Sequence, residues 1–368
     1  MNETPSLLSN MGMEKNWSPL QYRLLESTDA LLHPDTIPGE LLASAQRLYD
    51  LFSELTQLND QSVNPEDDVE TLLRDGTAIS PKEAARCLLD YDRTTKFLRG
   101  IEAGIKEASI RFPNQIIEVV YAGCGPYAAL IIPLCTRFSS EAVRFTLIDI
   151  HQRSLNSARK LVERLGFTNF IRAYINCDAA EYQCPAGTCF HVCITETMQR
   201  GLAKEPQLAV TANLAPQLPK GGVFIPECVS IDFCLGDLGK EFEIYSEEAG
   251  SANEQPTGSR ERIMRKRLLD LSADSIAPLM RSAHMDGDSG AYILPGITIQ
   301  VPSCAGDKRY SAMILTKIWV FNSIVIDEYD SGLTCPHILH DLGEFRGGET
   351  IEFQYCLGDC PGFKYRLI

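Results

Sequence analysis

The chain has 368 residues, 44% hydrophobic and 23% charged, with a formal charge of −15. That balance belongs to a globular protein long enough for two domains. The negative charge speaks against nucleic acid as a partner, since few cations would release counterions from phosphates, and suits cationic substrates. No apolar run reaches the length of a membrane span, so no membrane partner is expected. The thirteen cysteines are odd in number and scattered, and no secretory signal precedes them. They read as reduced, mostly buried thiols of a cytosolic protein. Cys177, Cys184 and Cys189 lack paired zinc spacing, and Cys356 with Cys360 stands alone, so no metal is expected.

Residues 1–78 read as a helical region. Apolar residues recur at helical spacing from Gly39 to Leu58. Packing is the simpler role for this region, and a lid over a site is the sharper one. Ser80 then reads as an N-cap, with Pro81 at the first helical position and Glu83 three residues after the cap. The helix should carry Cys87 to Thr94, with a break before Phe97.

Residues 116–120 form an apolar run that reads as a buried parallel strand. It stops at Gly123-Cys124-Gly125, and residues 128–134 read as the start of a helix. Such a turn lets the chain bend sharply and brings a ligand against bare backbone. The helix N-terminus beyond it would offer N–H groups to an anion. A second strand, residues 144–148, ends at Asp149, 24 residues after Gly125, where an acidic side chain can accept from ribose hydroxyls. A third strand over 170–175 leads to Asp178-Ala179. A fourth over 190–195 runs into Glu196. Ligands of open α/β sheets bind outside such carboxyl ends.

Past the turn and strand of residues 218–226 the alternation of strands and helices stops. Residues 229–235 read as a strand. Residues 236–290 are polar and carry a basic stretch, 260–271, that reads as a solvated helix. Strand-like runs at 297–301, 312–326 and 350–356, with a turn at Gly347-Gly348, indicate a β-rich C-terminal sandwich or barrel. The expected organisation is a helical region over 1–78, a nucleotide-type α/β domain over 79–226 and a β-rich domain over 227–368. A helical, polar insertion at about 236–290 would act as a homodimerisation arm or a substrate lid.

Glu196 and Glu205 lie nine residues apart on one segment after the fourth strand. Two carboxylates there could grip a planar cation through paired N–H···O bonds. A helix cap plus a surface glutamate is the plainer reading of the same residues.

From about Ala78 to the C-terminus, these motifs together resemble the class I S-adenosylmethionine-dependent methyltransferases, and the protein arginine N-methyltransferase family in particular. The resemblance implies a Rossmann-like domain followed by a β-rich barrel or sandwich. It implies S-adenosylmethionine as cofactor and S-adenosylhomocysteine as product. Arg93, in Asp92-Arg93-Thr94, inherits the contact with the cofactor's methionine carboxylate. Gly123, Cys124 and Gly125 match the glycine motif, Asp149 the ribose acid, and Asp178 with Ala179 the adenine site. Glu196 and Glu205 match the paired catalytic glutamates. Residues 218–226 match the family's passage out of the nucleotide domain.

The departures are as informative. Tyr121 stands where an acidic residue is usual and Tyr127 where a third glycine is common. The family's tyrosine-rich N-terminal helix has no counterpart, and its Thr-His-Trp loop reads Thr316-Lys317-Ile318-Trp319. The expected reaction is methyl transfer to a guanidinium nitrogen, with free arginine or a small guanidino metabolite as acceptor. A peptide acceptor is the alternative, and a non-catalytic scaffold a third.

Overall fold

The computed structural model describes residues 17–242, 260–287, 290–303 and 308–368. Two antiparallel helices come first, α1 (Pro19–Leu32) and α2 (Pro38–Thr56). Ser18 and Gln21 cap α1 reciprocally, and prolines open both helices. The apolar stripe of α2 (Leu41, Ala45, Leu48, Phe52, Leu55) is buried. A short antiparallel hairpin follows, β1 (Thr71–Leu73) and β2 (Gly76–Ala78), with Thr71 opposite Ala78.

Helix α3 (Pro81–Arg86) starts at Ser80, whose Oγ accepts from the Glu83 amide at 3.3 Å. The break expected before Phe97 comes earlier, at residues 87–90. Asp90 there caps a fresh helix, α4 (Tyr91–Arg111), by accepting from the Arg93 amide at 3.2 Å. Arg93 and Thr94 therefore sit on the first turn of α4, buried, rather than late in the preceding helix.

The core of the molecule is a five-stranded parallel sheet. Its strands are β3 (Ile117–Ala122), β4 (Val143–Asp149), β5 (Ile171–Asn176), β6 (Val192–Thr195) and β7 (Val223–Ile225), in the order β5-β4-β3-β6-β7. The order reverses between β3 and β6, which makes the crevice above their carboxyl ends the ligand position of a doubly wound fold. Helix α5 (Gln152–Arg164) links β4 to β5, and α6 (Gln207–Leu214) precedes β7. Strand β6 is fully buried and wholly apolar apart from Thr195, as a strand covered on both faces must be.

The helix expected over 128–134 does not form. Ala128 adopts a left-handed φ of 41°, and the segment continues through turns into a single 3-10 turn at Pro133–Thr136. Proline at 133 lacks an amide hydrogen and breaks an α-helical run.

Beyond β7 the chain forms two antiparallel sheets. Their elements are β8 (Cys228–Gly236), α7 (Leu238–Phe242), β9 (Arg262–Leu271), α8 (Ile276–Ser282), β10 (His284–Met285), β11 (Tyr292–Ile293), β12 (Ile297–Gln300), β13 (Tyr310–Phe321), β14 (Ile324–Ile326), β15 (His337–Ile338), β16 (Glu344–Phe345), β17 (Thr350–Leu357) and β18 (Gly362–Leu367). One sheet runs β14-β13-β8-β9, with β15 and β16 also on β13. The other runs β10-β11-β17-β12, with β18 on β17. Phe233 of β8 meets Phe353 of β17 with ring centroids 5.3 Å apart. The run read as one strand over 312–326 folds back at Asn322, where φ is 51°.

The basic stretch 260–271 is strand β9, not a helix. Arg265 and Arg267, two apart on one strand face, both reach Asp232 on β8, at 2.6 and 2.5 Å. Arg262 pairs with the fully buried Glu241 at 2.6 Å. The partners that make this segment extend are remote in sequence, so local composition alone favours the wrong period. Part of the insertion, 243–259 and 288–289, lies outside the described residues, and with it the dimerisation-arm reading. Buried apolar residues of α1, α2, the parallel sheet and both antiparallel sheets form one continuous cluster. No described helix is long and apolar enough to cross a membrane.

Candidate functional site

A cavity of about 890 Å³, part of it open to solvent, lies above the carboxyl ends of β3, β4, β5 and β6. Arg93, Gly123, Cys124, Gly125, Asp149, Asp178, Ala179, Glu196 and Glu205 all line it. The strand ends, the first turn of α4 and the turn that follows β6 bring these nine together from positions spread over more than a hundred residues.

The glycine turn is held to the neighbouring strand. Gly123 and Cys124 donate their amides to the Ile148 carbonyl at 2.9 and 3.1 Å. Gly125, at φ 64°, donates to Asp149 Oδ2 at 2.8 Å. A Cβ on Gly123 would stand 2.4 Å from Thr197 Cγ2, so that position must be glycine for the turn after β3 and the turn after β6 to meet. Asp149 also accepts from the His151 amide at 2.8 Å through Oδ1. A carboxylate has about four lone-pair sites, so two remain for further donors. At the end of β5, Asp178 accepts from the Ala180 amide at 2.8 Å, and burial raises its pKa.

The two tyrosines in the turn have structural work. Tyr127 packs edge-on against Tyr49 and Phe52 of α2, and its hydroxyl donates to the Leu58 carbonyl. It ties the N-terminal helices to the glycine turn, which a glycine could not do. Tyr121 is buried on β3, and burial pushes its phenol up.

The glutamate segment is a compact turn gripped from outside. Gly201, Leu202 and Lys204 have left-handed φ of 69°, 54° and 65°. Two of these are not glycine, which marks a backbone conformation kept by its surroundings. Gly201 donates to Thr316 Oγ1 of β13 at 2.8 Å. The Tyr355 hydroxyl of β17 donates to the Leu202 carbonyl at 2.7 Å, and Lys204 donates to the Pro361 carbonyl at 2.8 Å. Gln207 receives both the amide and the hydroxyl of Thr197, at 2.9 and 3.0 Å. The C-terminal sheets thus hold the loop that carries both glutamates.

The hairpin β1–β2 covers this loop from the other side. Thr77 donates to the Lys204 carbonyl at 2.8 Å. Gly76, at φ 143°, leaves no room for a Cβ, which would lie 2.8 Å from the Lys204 carbonyl oxygen and 3.0 Å from the Glu205 carbonyl carbon. At its other end Thr71 Oγ1 lies 2.9 Å from His151 Nε2, beside Asp149. Leu73 and Ala78 of the hairpin line the cavity. The N-terminal region therefore both packs, through α1 and α2, and roofs the cavity, through the hairpin.

Both glutamate side chains turn inward. Glu196 is an ion-pair partner of Arg93, with side-chain exposures of 7% and 8%. Arg93 Nη1 donates to the Cys87 carbonyl at 3.1 Å, whereas its buried Nε has no partner. Glu205 is 8% exposed, and burial pushes its pKa up to about 7 against the pull of Gln199 and Arg93.

Thr316-Lys317-Ile318-Trp319 is not a loop. It lies within β13, paired along β8. Thr316 holds the glutamate segment through the Gly201 amide. Lys317 sits over the Trp319 ring at 4.9 Å and bonds Asp327, away from the cavity. The hairpin, His151, Gln207 and Tyr355 had no sequence signature, because each acts through a contact set only by folding. Among the described residues no group of three or more His, Cys, Asp or Glu could hold a metal ion, and all cysteines are free.

No protein-family model matches the chain, and no curated protein sequence does either. Among solved structures, the chain is similar to the Trypanosoma brucei PRMT1 enzyme–prozyme heterotetrameric complex with AdoHcy. The likeness has a TM-score of 0.47 and 15% identity, over 73% of this chain and 86% of that one. A likeness at that level assigns no activity.

Proposed function

We propose that the protein is an S-adenosylmethionine-dependent N-methyltransferase whose acceptor is the guanidinium of free arginine or another small guanidino compound. The observation that carries this reading is the pair of carboxylates with buried side chains, Glu196 and Glu205, on the same cavity as the glycine turn and the buried Arg93. The residues fit the donor. The unpartnered Nε of Arg93 is a buried N–H awaiting an acceptor such as a carboxylate. Asp149 keeps lone pairs for ribose hydroxyls, the glycine turn admits a ligand against its backbone, and Asp178 with Ala179 would hold the adenine. When bound, the donor supplies a sulfonium methyl that is already activated for displacement.

The protein's own contribution is positioning and charge. Glu196 and Glu205 draw positive charge onto the guanidinium nitrogens they bond, leaving the third nitrogen more nucleophilic. Glu205, with its pKa near 7, is suited to take the proton released at the attacking nitrogen. The hairpin roof over the Glu205 backbone favours a small acceptor over a peptide, since a polypeptide would need that roof displaced.

The test is turnover with labelled S-adenosylmethionine, comparing free arginine with a histone-tail peptide. Methylation of free arginine is expected. Methylation of the peptide alone would move the acceptor to protein. No methylation of either, with no calorimetric binding of S-adenosylhomocysteine, would leave a scaffold.

A further inference from the structure

Arg93 and Glu196 hold each other in a way that bears on the order of events at the site. Arg93 sits at the start of α4 and Glu196 at the end of β6. Their side chains pair, each more than nine-tenths buried. A guanidinium offers five N–H donors in a flat fork, and carboxylates meet that fork edge to edge. Glu196 is therefore already engaged with a guanidinium, and that guanidinium belongs to the protein. With Oε2 held by Arg93, Glu196 cannot meet an acceptor's guanidinium edge to edge through both oxygens. Arg93 in turn is only partly satisfied: Nη1 reaches the Cys87 carbonyl at 3.1 Å, and Nε has no partner.

We propose that Arg93 is an internal stand-in for the acceptor, and that the donor's carboxylate frees Glu196 by taking Arg93 from it. The proposal rests on the methyltransferase reading above. The exchange keeps both protein charges paired. One buried pair, Arg93 with Glu196, becomes two, Arg93 with the donor carboxylate and Glu196 with the acceptor cation, so neither side chain is left as an uncompensated buried charge. Acceptor binding without donor would crowd two guanidinium groups around Glu196 and Glu205. The donor thereby binds first, and donor and acceptor reinforce each other's affinity by the same factor. Arg93 is in this sense a positioning residue that gates the acceptor site.

The experiment measures competition between Glu196 and the donor carboxylate on the full chain. S-adenosylhomocysteine and 5′-methylthioadenosine, which lacks the amino-acid portion, are titrated calorimetrically into wild type and Glu196→Gln. S-adenosylhomocysteine should bind Glu196→Gln at least about fivefold tighter than wild type, a gain of about 1 kcal/mol. Methylthioadenosine should bind both alike. The gain should persist in 0.5 M salt, since a buried pair is screened far less than a surface one. Unchanged or weaker S-adenosylhomocysteine binding in Glu196→Gln would overturn the proposal, as would an equal gain for methylthioadenosine. Should Glu196→Gln fail to fold, Glu196→Ala carries the same expectations. Wild type that binds no S-adenosylhomocysteine would remove the methyltransferase reading itself, whereas binding without the Glu196→Gln gain removes only the exchange.

Discussion

The two ends of the cavity are built differently. At the Asp149 end the turn amides and both carboxylate oxygens already have partners close by in the chain or on the next strand. Gly125 and His151 give their amides to the two oxygens of Asp149, and Gly123 and Cys124 give theirs to Ile148. At the glutamate end three charged groups are compressed into a buried space. Arg93 has an orphaned N–H, Glu205 is pushed toward neutrality, and the supporting loop holds left-handed residues that only the surrounding elements keep in place. The first end is preorganised and quiet. The second is poised, with interactions that a ligand would complete. On the proposed function, binding and chemistry divide along that line: a rigid end locates a ligand, and an unsatisfied end responds to it.

The contrast can be broken most sharply at Glu205. Glu205→Gln should lower turnover by about 10³-fold while S-adenosylhomocysteine affinity stays near wild type by calorimetry. A comparable loss of cofactor affinity would place Glu205 at the other end of the cavity. Next in size is Arg93→Ala. It should weaken S-adenosylhomocysteine binding by about 100-fold and, by leaving Glu196 buried without its partner, cost roughly 3–5 kcal/mol in denaturant unfolding.

The pH dependence of stability sharpens the same point. Burial raises the Glu205 pKa from its ordinary 4.5 to about 7. The folded state then holds that proton more tightly than the unfolded chain. Its contribution to stability is favourable below about pH 4.5 and is lost as pH rises toward 7, by on the order of 3 kcal/mol. Glu205→Gln should therefore melt near wild type at pH 4 and several degrees above it at pH 8. Parallel melting curves at the two pH values would show that Glu205 is not held in this way. Turnover of wild type should rise with pH through about 7 as the carboxylate ionises.

Smaller effects belong to the roof. Gly76→Ala forces a Cβ against the backbone around Glu205 at a φ unfavourable for alanine, and should cost about 1–3 kcal/mol in thermal unfolding. It should also reduce turnover more than cofactor affinity, because the strain falls on the glutamate end. The smallest change expected is Thr71→Val, which removes the hydroxyl facing His151. It should cost under about 1 kcal/mol and weaken S-adenosylhomocysteine binding only a few-fold, since it touches the quiet end.

Some of this molecule was plain in the residues themselves. An apolar run stopping at Gly123-Cys124-Gly125, an acid at Asp149 and a second pattern of the same kind ending at Glu196 are local signals. A parallel strand buried on both faces must be apolar throughout, and its turn must be made of residues that bend. The glycine turn, Asp149, Asp178, Ala179 and Glu196 fall on one cavity because strand ends in such a sheet all point the same way, whereas Arg93 reaches it from the first turn of α4 and Glu205 from a loop held by the C-terminal sheets. Where the reading failed, the deciding partner lay far along the chain. Residues 260–271 are basic and free of glycine and proline, which fits a helix, until Asp232 and Glu241 on neighbouring elements extend them into β9. Residues 128–134 follow a nucleotide-type turn, but Pro133 and the left-handed Ala128 stop the helix before it begins. Thr316-Lys317-Ile318-Trp319 matched a loop by its letters, and the register of β13 on β8 turned it into a strand from which Thr316 accepts the Gly201 amide of the glutamate segment.

Sequence by itself determined the sheet, its glycine turn and the acidic strand ends, because backbone propensity and hydrophobic period act over a few residues at a time. Tertiary structure alone decided what Glu196 and Glu205 face, which side chain Arg93 holds and what roofs the cavity. Those outcomes depend on burial and charge pairing between segments up to about 150 residues apart, and no local pattern encodes such contacts.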